Sequence, residues 1–396
     1  MVPNSNQTSR HGISNIAALM LITLTLCVIG LVVLGGTLSH DVQKPLDARE
    51  HTAPTVEETA SIDSSQTHIA TETPEVTSDE KIVTVDVPKI DTEQVVPSNI
   101  PTGDAQKESV GFHTEDPLPW EQVHTKTISS LVNILCGSNA RSSISGATGS
   151  GVIIDGRGVI LTNAHVAQYV LLEEHPVAQT ACVVRTGSPA RAAYTVELIA
   201  FPEKWVSRHA ADIRLEYPTG TGENDWALLY ITGTVDGSPL PKEFPFLPFD
   251  TRQAVAQTGD SMLLAAYPAG FLGSISLQRD LWPVATITAI QRLYTFSEHL
   301  VDILSLGGNI VAQGGASGGA VVNQWGSLVG IIVTSSTGDT TAERDLRAVT
   351  MSHVNASVAS ETGLDLQEYL GSGNFSEKIS TFSTKTAPKL LTFYPF

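Results

Sequence analysis

The chain has 396 residues, of which 41% are hydrophobic, 6% aromatic and 16% charged, and its formal net charge is -18 at pH 7. That is more chain than one small core needs; one domain of about 200 to 250 residues plus extra segments is the natural expectation. The acidic balance argues against nucleic acid or anionic lipid as a partner, because the long-range field repels both.

In chain order, residues 1–15 precede an apolar run, Ile16 to Leu34, that contains no charged residue. As a helix rising ~1.5 Å per residue this run would span ~28 Å, the thickness of a bilayer core. The expected transmembrane anchor covers residues 16–36. A cleaved signal peptide is the alternative, but its apolar region is usually only about 7 to 15 residues long, and no small-x-small cleavage site follows Leu34. Arg10 lies before the span and Asp41 and Glu50 beyond it, which puts the N-terminus in the cytoplasm and the bulk of a single-pass chain outside it.

Between Asp41 and Asp116 stand 17 Asp/Glu against 5 Lys/Arg, so most of the excess charge belongs to one segment. Residues 37–116 are rich in Thr, Ser, Glu, Pro and Val, with neither helical periodicity nor the apolar bulk of a core. They read as a disordered linker, with a reach on the order of 50 Å if it behaves as a flexible coil.

After Trp120 the texture changes. "WEQVHTKTISSLVNIL" reads as a short helix entering a strand, and "GSGVIIDGRGVILTNAHV" as two strands joined by a hairpin turn at Asp155 to Gly158. "ACVVRT", "YTVELIAF", "WALLYIT", "SMLLAAYP", "VATITAIQRL", "GAVVNQ" and "SLVGIIVTSS" are further strand candidates. Many short strands between Gly, Pro, Asn and Asp turns predict an all-β sandwich or barrel over residues 117–370. A helix returns near "SHVNASVASETGLDLQEYL", and residues 371–396 read as a flexible Ser/Thr-rich tail.

Cys27 falls inside the apolar span, which leaves Cys136 and Cys182 as the pair able to oxidise in an exported domain. Each lies in an apolar strand-like run, where a reduced cysteine packs as a small hydrophobe; a disulfide between them is the alternative. No metal site and no cofactor is expected.

"GGASGG", residues 314–319, places Ser317 among glycines directly before an apolar run. A serine hydroxyl needs an adjacent base to become a useful nucleophile near neutral pH. His165, in "TNAHV" after the strand "GVILT", is the candidate base. Asp225, in "GENDWALLYI" directly before an apolar strand, is the candidate acid that would orient it. Residues 315–319 also satisfy G-x-S-x-G, the strand-to-helix elbow of α/β-hydrolases. Here, however, the serine is followed by two β-branched runs about a Trp-Gly-Ser turn, and only His353 lies downstream, in the expected closing helix.

"GSGVIIDGRGVILT", "TNAHV", "NDWALLYI" and "GGASGGAVVN", in that order, resemble the trypsin-like serine peptidases, and the HtrA/Deg branch of bacterial, membrane-associated members in particular. The resemblance covers roughly residues 120 to 370, and "GDSMLLAAYPAG" looks like the family's strand and loop midway between acid and nucleophile. It implies a trypsin/chymotrypsin-like double β-barrel and a serine endopeptidase at a bacterial envelope acting on exported or unfolded polypeptides. Ser317 would be the nucleophile, His165 the base and Asp225 its orienter, with the N–H groups of Gly315 and Ser317 as oxyanion hole. By the same resemblance the primary substrate pocket would lie near Val311 and Val333, Thr334 and Ser335. No carboxylate stands there, so small or medium apolar side chains are the expected preference. A catalytically silent binding module on the same fold is the alternative.

Two departures stand out. The residue before the serine is usually Asp or Asn in this family and here is Ala316, so control of the loop must come from elsewhere. Relatives usually carry a peptide-binding PDZ module after the peptidase domain, and the chain beyond Leu370 is too short for one. Trimers are common among the relatives, but no feature of this sequence demonstrates a homo-oligomer.

Overall fold

Trp120 opens the first helix, α1 (Trp120–Ser130), after Pro119, and buries Val123, Thr127 and Ser130 along one face. At Leu131 the backbone turns extended and continues as β1 (Leu131–Ser138). The computed structural model describes residues 113–138, 146–178, 180–215, 220–253, 255–270, 272–296, 300–335 and 338–396. The expected anchor, and the expected linker up to residue 112, lie outside the described residues. Among the described residues, no helix is long and apolar enough to cross a membrane. The end of the expected linker makes contacts with the domain: His113 stacks on Trp325 with ring centroids 4.0 Å apart, and Trp325 Nε1 donates to the Glu115 carbonyl at 2.8 Å.

β2 (Ala147–Asp155) and β3 (Val159–Thr162) form the expected hairpin, with Val152 opposite Leu161. Gly158 closes the turn at φ +98° and donates its N–H to the Asp155 carbonyl. A short helix, α2 (Ala164–Leu171), follows at once. Then come β4 (Thr180–Thr186), β5 (Arg191–Ala200), the helix α3 (Glu203–His209) and β6 (Ala227–Thr234). The six strands close into a barrel in the order β1-β2-β3-β6-β5-β4. β1 and β4 pair in a register that sets Cys136 opposite Cys182, and the two sulfurs lie 2.10 Å apart, a bonded pair. The preferred reading as two packed thiols therefore gives way to its alternative; strand register, which the sequence does not display, makes the difference.

The second half contains β7 (Ser261–Ala266), the helix α4 (Ser274–Arg279), β8 (Val284–Ala289), β9 (Arg292–Tyr294), β10 (Ile303–Ser305), β11 (Ala320–Val322), β12 (Leu328–Ser335) and β13 (Leu346–Thr350). Its sheet runs β8-β7-β11-β12-β13-β10-β9 and is not closed by strand pairing. The expected second barrel is thus a half-barrel whose two edges come from one stretch of chain. Residues 284–293, read from the sequence as a single strand, bend at Ile290 and Gln291, so that β8 pairs with β7 and β9 with β10.

Helices α5 (Met351–Thr362), α6 (Leu366–Gly371), α7 (Phe375–Thr381) and α8 (Ala387–Leu391) follow, the last two separated by a π-helical turn at Phe382–Thr386. Residues 371–396, expected to be a flexible tail, are instead largely helical. Phe375, Phe382, Ala387, Leu390 and Tyr394 are buried, and the last four share a cluster with first-barrel residues such as Ile134 and Leu229. The Ser/Thr content hid this recurrence of apolar residues at helical spacing. A second cluster fills the half-barrel (Leu264, Val321, Ile332), and a third joins the two units, with Val152, Leu161 and Trp226 from one and Leu263, Ile331 and Val349 from the other. Each large side chain so buried contributes about 1.5 to 3 kcal/mol before the entropic cost of ordering the chain, and the third cluster fixes the seam along which the candidate site lies.

Candidate active site

His165 is the second residue of α2, and its orientation is set from two sides. Its backbone N–H is one of the helix-terminal donors that have no intrahelical acceptor, and it donates to Asp225 Oδ1 at 2.9 Å. The ring Nδ1 lies 2.7 Å from the other oxygen, Oδ2. The Asp225 side chain is 9% exposed and that of His165 30%, so the carboxylate is closed off while the ring still reaches solvent. Asn163, the residue that starts α2, adds a third tie by donating Nδ2 to the Asp225 carbonyl at 2.8 Å. Burial disfavours the imidazolium of His165, but the Asp225 charge and hydrogen bond outweigh it, so the ring titrates above its ordinary 6.5.

Ser317 stands across the seam. Its carbonyl accepts from the Ser150 N–H at 2.7 Å, which joins the loop of the half-barrel to β2 of the barrel. A Cβ at Gly318, φ +83°, would overlap the Ser150 carbonyl oxygen, and only glycine permits that approach. Within the loop the N–H groups of Ala316, Gly318 and Gly319 donate to the carbonyls of Gln313, Ile332 and Ala316. Among the described residues, the N–H groups of Gly315 and Ser317 have no acceptor. These are the two donors that the resemblance to trypsin-like peptidases implies for an oxyanion. Gly315 has φ +88°, and a Cβ there would meet the Tyr267 carbonyl oxygen at 2.8 Å.

Neither Ser317 Oγ nor His165 Nε2 has a hydrogen-bond partner among the described residues. The structure therefore brings His165 and Asp225 into contact and docks the Ser317 loop against Ser150 and Thr162, without a serine–histidine hydrogen bond. Such bonds are often long in unliganded enzymes and tighten when substrate arrives.

Ala316 is 1% exposed and belongs to the apolar cluster of the half-barrel with Val311 and Val321. A carboxylate in its place would be desolvated, with a cost of several kcal/mol unless it found a partner. The loop is held instead by Ser150, a fully buried residue that sequence reasoning missed. Its Oγ donates to the Gly315 carbonyl at 2.8 Å and accepts the Tyr267 N–H at 2.9 Å, while its own carbonyl accepts from Thr162 Oγ1 at 2.7 Å. A serine between two glycines at the head of an apolar strand was the available signal. Ser150→Ala leaves the Gly315 oxygen and the Tyr267 N–H buried without partners, at about 1 to 3 kcal/mol each. It should lower the thermal midpoint and slow fluorophosphonate attack on Ser317 by about tenfold or more; an unchanged attack rate would mean that the loop is held by other contacts.

Of the four expected pocket residues, the side chains of two, Val311 and Val333, are described. Val311 and Val333 are buried in different clusters, Val333 with its side chain toward Gly222. Thr334 and Ser335 pair on β12 with Arg347 and Leu346 of β13, and their side chains lie outside what is described.

Residues 149–331 match the family model described as trypsin-like peptidase domain. A comparison with curated protein sequences finds no match. The chain is similar to the solved structure of Deg5, with 17% identity over 59% of this chain and 89% of that one at a TM-score of 0.39. It is also similar to the HtrA-type protease AlgWS227A with tripeptide, with 18% identity over 62% of this chain and 65% of that one, again at 0.39.

Proposed function

We propose that the trypsin-like serine hydrolase carried by residues 149–331 is a membrane-anchored, extracytoplasmic endopeptidase that cleaves exported or unfolded polypeptides through Ser317, His165 and Asp225. The observation that carries this reading is the two-point hold of Asp225 on His165, at the backbone N–H and at Nδ1, because it commits the proton to Nδ1 and leaves Nε2 as a base. Ser317 Oγ attacks the carbonyl carbon of the scissile bond as its proton passes to Nε2. The N–H groups of Gly315 and Ser317 receive the charge that develops on the carbonyl oxygen. The C–N bond then breaks, Nε2 gives its proton to the leaving amine, and an acyl-enzyme remains. Water, deprotonated by the same nitrogen, releases the second product.

The anchor in this reading is the run Ile16 to Leu34, and the acidic segment after it would let the domain range over the membrane surface. The absence of a carboxylate at Val311 and at residues 333–336 supports small or medium apolar residues before the scissile bond. The test is a fluorophosphonate probe incubated with the full chain, followed by peptide mapping. Peptidase function predicts a single adduct on Ser317 and cleavage of an unfolded protein in the same preparation. Folded protein that is never modified at Ser317, with or without polypeptide present, would instead be a silent binding module.

A further inference from the structure

A second histidine–carboxylate pair is buried away from Ser317. His353, on the first turn of α5, has Nδ1 2.7 Å from Asp302 Oδ1, and the two side chains are 11% and 2% exposed. The other oxygen of Asp302 accepts the Phe296 N–H at 2.5 Å. With the carboxylate engaged on both oxygens, Nδ1 is the protonated nitrogen and Nε2 is an acceptor. What Nε2 accepts is the backbone N–H of Asn224, at 3.3 Å. Among the described residues no hydroxyl or thiol bonds to that nitrogen, so the pair is not a second hydrolytic centre.

Asn224 directly precedes Asp225. Among the described non-glycine residues it alone has positive φ, at 57°, a conformation that asparagine tolerates but that has to be held. Its side chain is gripped by the same helix. Ser357, one turn after His353, donates to Asn224 Oδ1 at 2.7 Å and accepts from Trp226 Nε1 at 2.8 Å. α5, which follows the last strand of the half-barrel, therefore holds the residues on both sides of an aspartate that belongs to the barrel. The Asp225 carboxylate itself has both oxygens on His165, so its place is set by its backbone, through these flanking contacts together with the bonds of its carbonyl to Asn163 and of its N–H to the Gly222 carbonyl.

We infer that His353, oriented by Asp302, is a positioning residue that acts through the Asn224 N–H to keep Asp225 at the distance from which it fixes His165. The inference rests on reading Ser317, His165 and Asp225 as the working triad.

The experiment measures the rate of fluorophosphonate modification of Ser317 in the full chain as a function of pH. His353→Ala should slow it by between ~10- and ~100-fold, the size expected when a reacting group is misplaced by a fraction of an ångström to an ångström. Its pH midpoint should fall, because a displaced Asp225 raises the His165 pKa less. His353→Gln, whose amide keeps one donor and one acceptor, should recover most of the rate and of the midpoint. Asp302→Asn has the same shape and guards against a variant that fails to fold. Its amide N–H must face either His353 Nδ1–H or the Phe296 N–H, and the tautomer change that relieves the first conflict turns Nε2 into a donor against Asn224. It should move rate and midpoint in the direction of His353→Ala. Wild-type protein that is never modified would overturn the triad reading and this inference with it. Wild type modified normally, with His353→Ala and Asp302→Asn matching its rate and midpoint, would overturn this inference alone. So would a slower rate at an unmoved midpoint that glutamine does not restore, the mark of lost stability only.

Discussion

Ser317→Ala is expected to lower peptide-bond hydrolysis about a million-fold and to abolish fluorophosphonate modification, with the fold unchanged. The size follows from what the hydroxyl alone supplies. Without Oγ there is no acyl-enzyme, and His165 has no proton to take, so the remaining groups cannot compensate one by one. A residual rate above that of water should survive, because the free N–H groups of Gly315 and residue 317 and the binding surface remain. The fold should tolerate the change, since Ser317 Oγ bonds to nothing among the described residues and the backbone contact from Ser150 to the residue 317 carbonyl does not involve the side chain. Hydrolysis of an unfolded protein, followed by gel alongside a thermal melt, checks both halves. A variant that cleaves at more than a small fraction of the wild-type rate would remove Ser317 from the nucleophile's role.

The parts of the site that could be read from the sequence are those written locally. His165, Asp225 and Ser317 each adjoin an apolar strand, and the need for glycine at 315 follows from the N–H it must present, whereas the crowding at Gly318 and Gly319 is seen only in the loop geometry. The groups that support them could not be read in this way, because they depend on which strands meet. Ser150 touches Gly315 across 165 residues of sequence and His353 touches Asn224 across 129. His353 was noticed only as a histidine downstream of Ser317, in a helix where nothing local marks its function. The hairpin at Asp155 to Gly158 follows from turn chemistry, whereas the many short strands left a sandwich or a barrel open and only the resemblance to trypsin-like peptidases implied the barrel. β10 has three residues and β13 runs straight into α5, too little for a period-2 pattern to emerge. The pocket residues were named by resemblance alone, and of these Val311 and Val333 are buried.

Asp225→Asn should lower kcat about ten-thousand-fold although it removes only a charge and one acceptor. The carboxylate accepts two N–H groups of the same residue, at 2.9 Å from the His165 backbone and 2.7 Å from Nδ1. An amide has one acceptor oxygen. If that oxygen faces Nδ1–H, the NH2 group meets the backbone N–H, a buried donor–donor conflict of about 1 to 3 kcal/mol. If it faces the backbone, the NH2 group donates to Nδ1 and the imidazole proton moves to Nε2. The second arrangement satisfies every group and is the one expected, and in it Nε2 cannot take the Ser317 proton. The pH profile moves as well. In the wild type, burial lowers the His165 pKa and the Asp225 charge and hydrogen bond more than reverse this, so the ring titrates above 6.5. The ring is a base only when neutral, so wild-type activity should disappear as pH falls through a midpoint above that value. Remove Asp225 and only the burial contribution remains, so the small residual activity should persist to lower pH, with a midpoint below 6.5. Rates on a peptide with an apolar residue before the scissile bond, measured across pH for both proteins, decide the matter. A variant within tenfold of wild type, or one with an unmoved midpoint, would show that Asp225 neither sets the tautomer nor raises the pKa of His165.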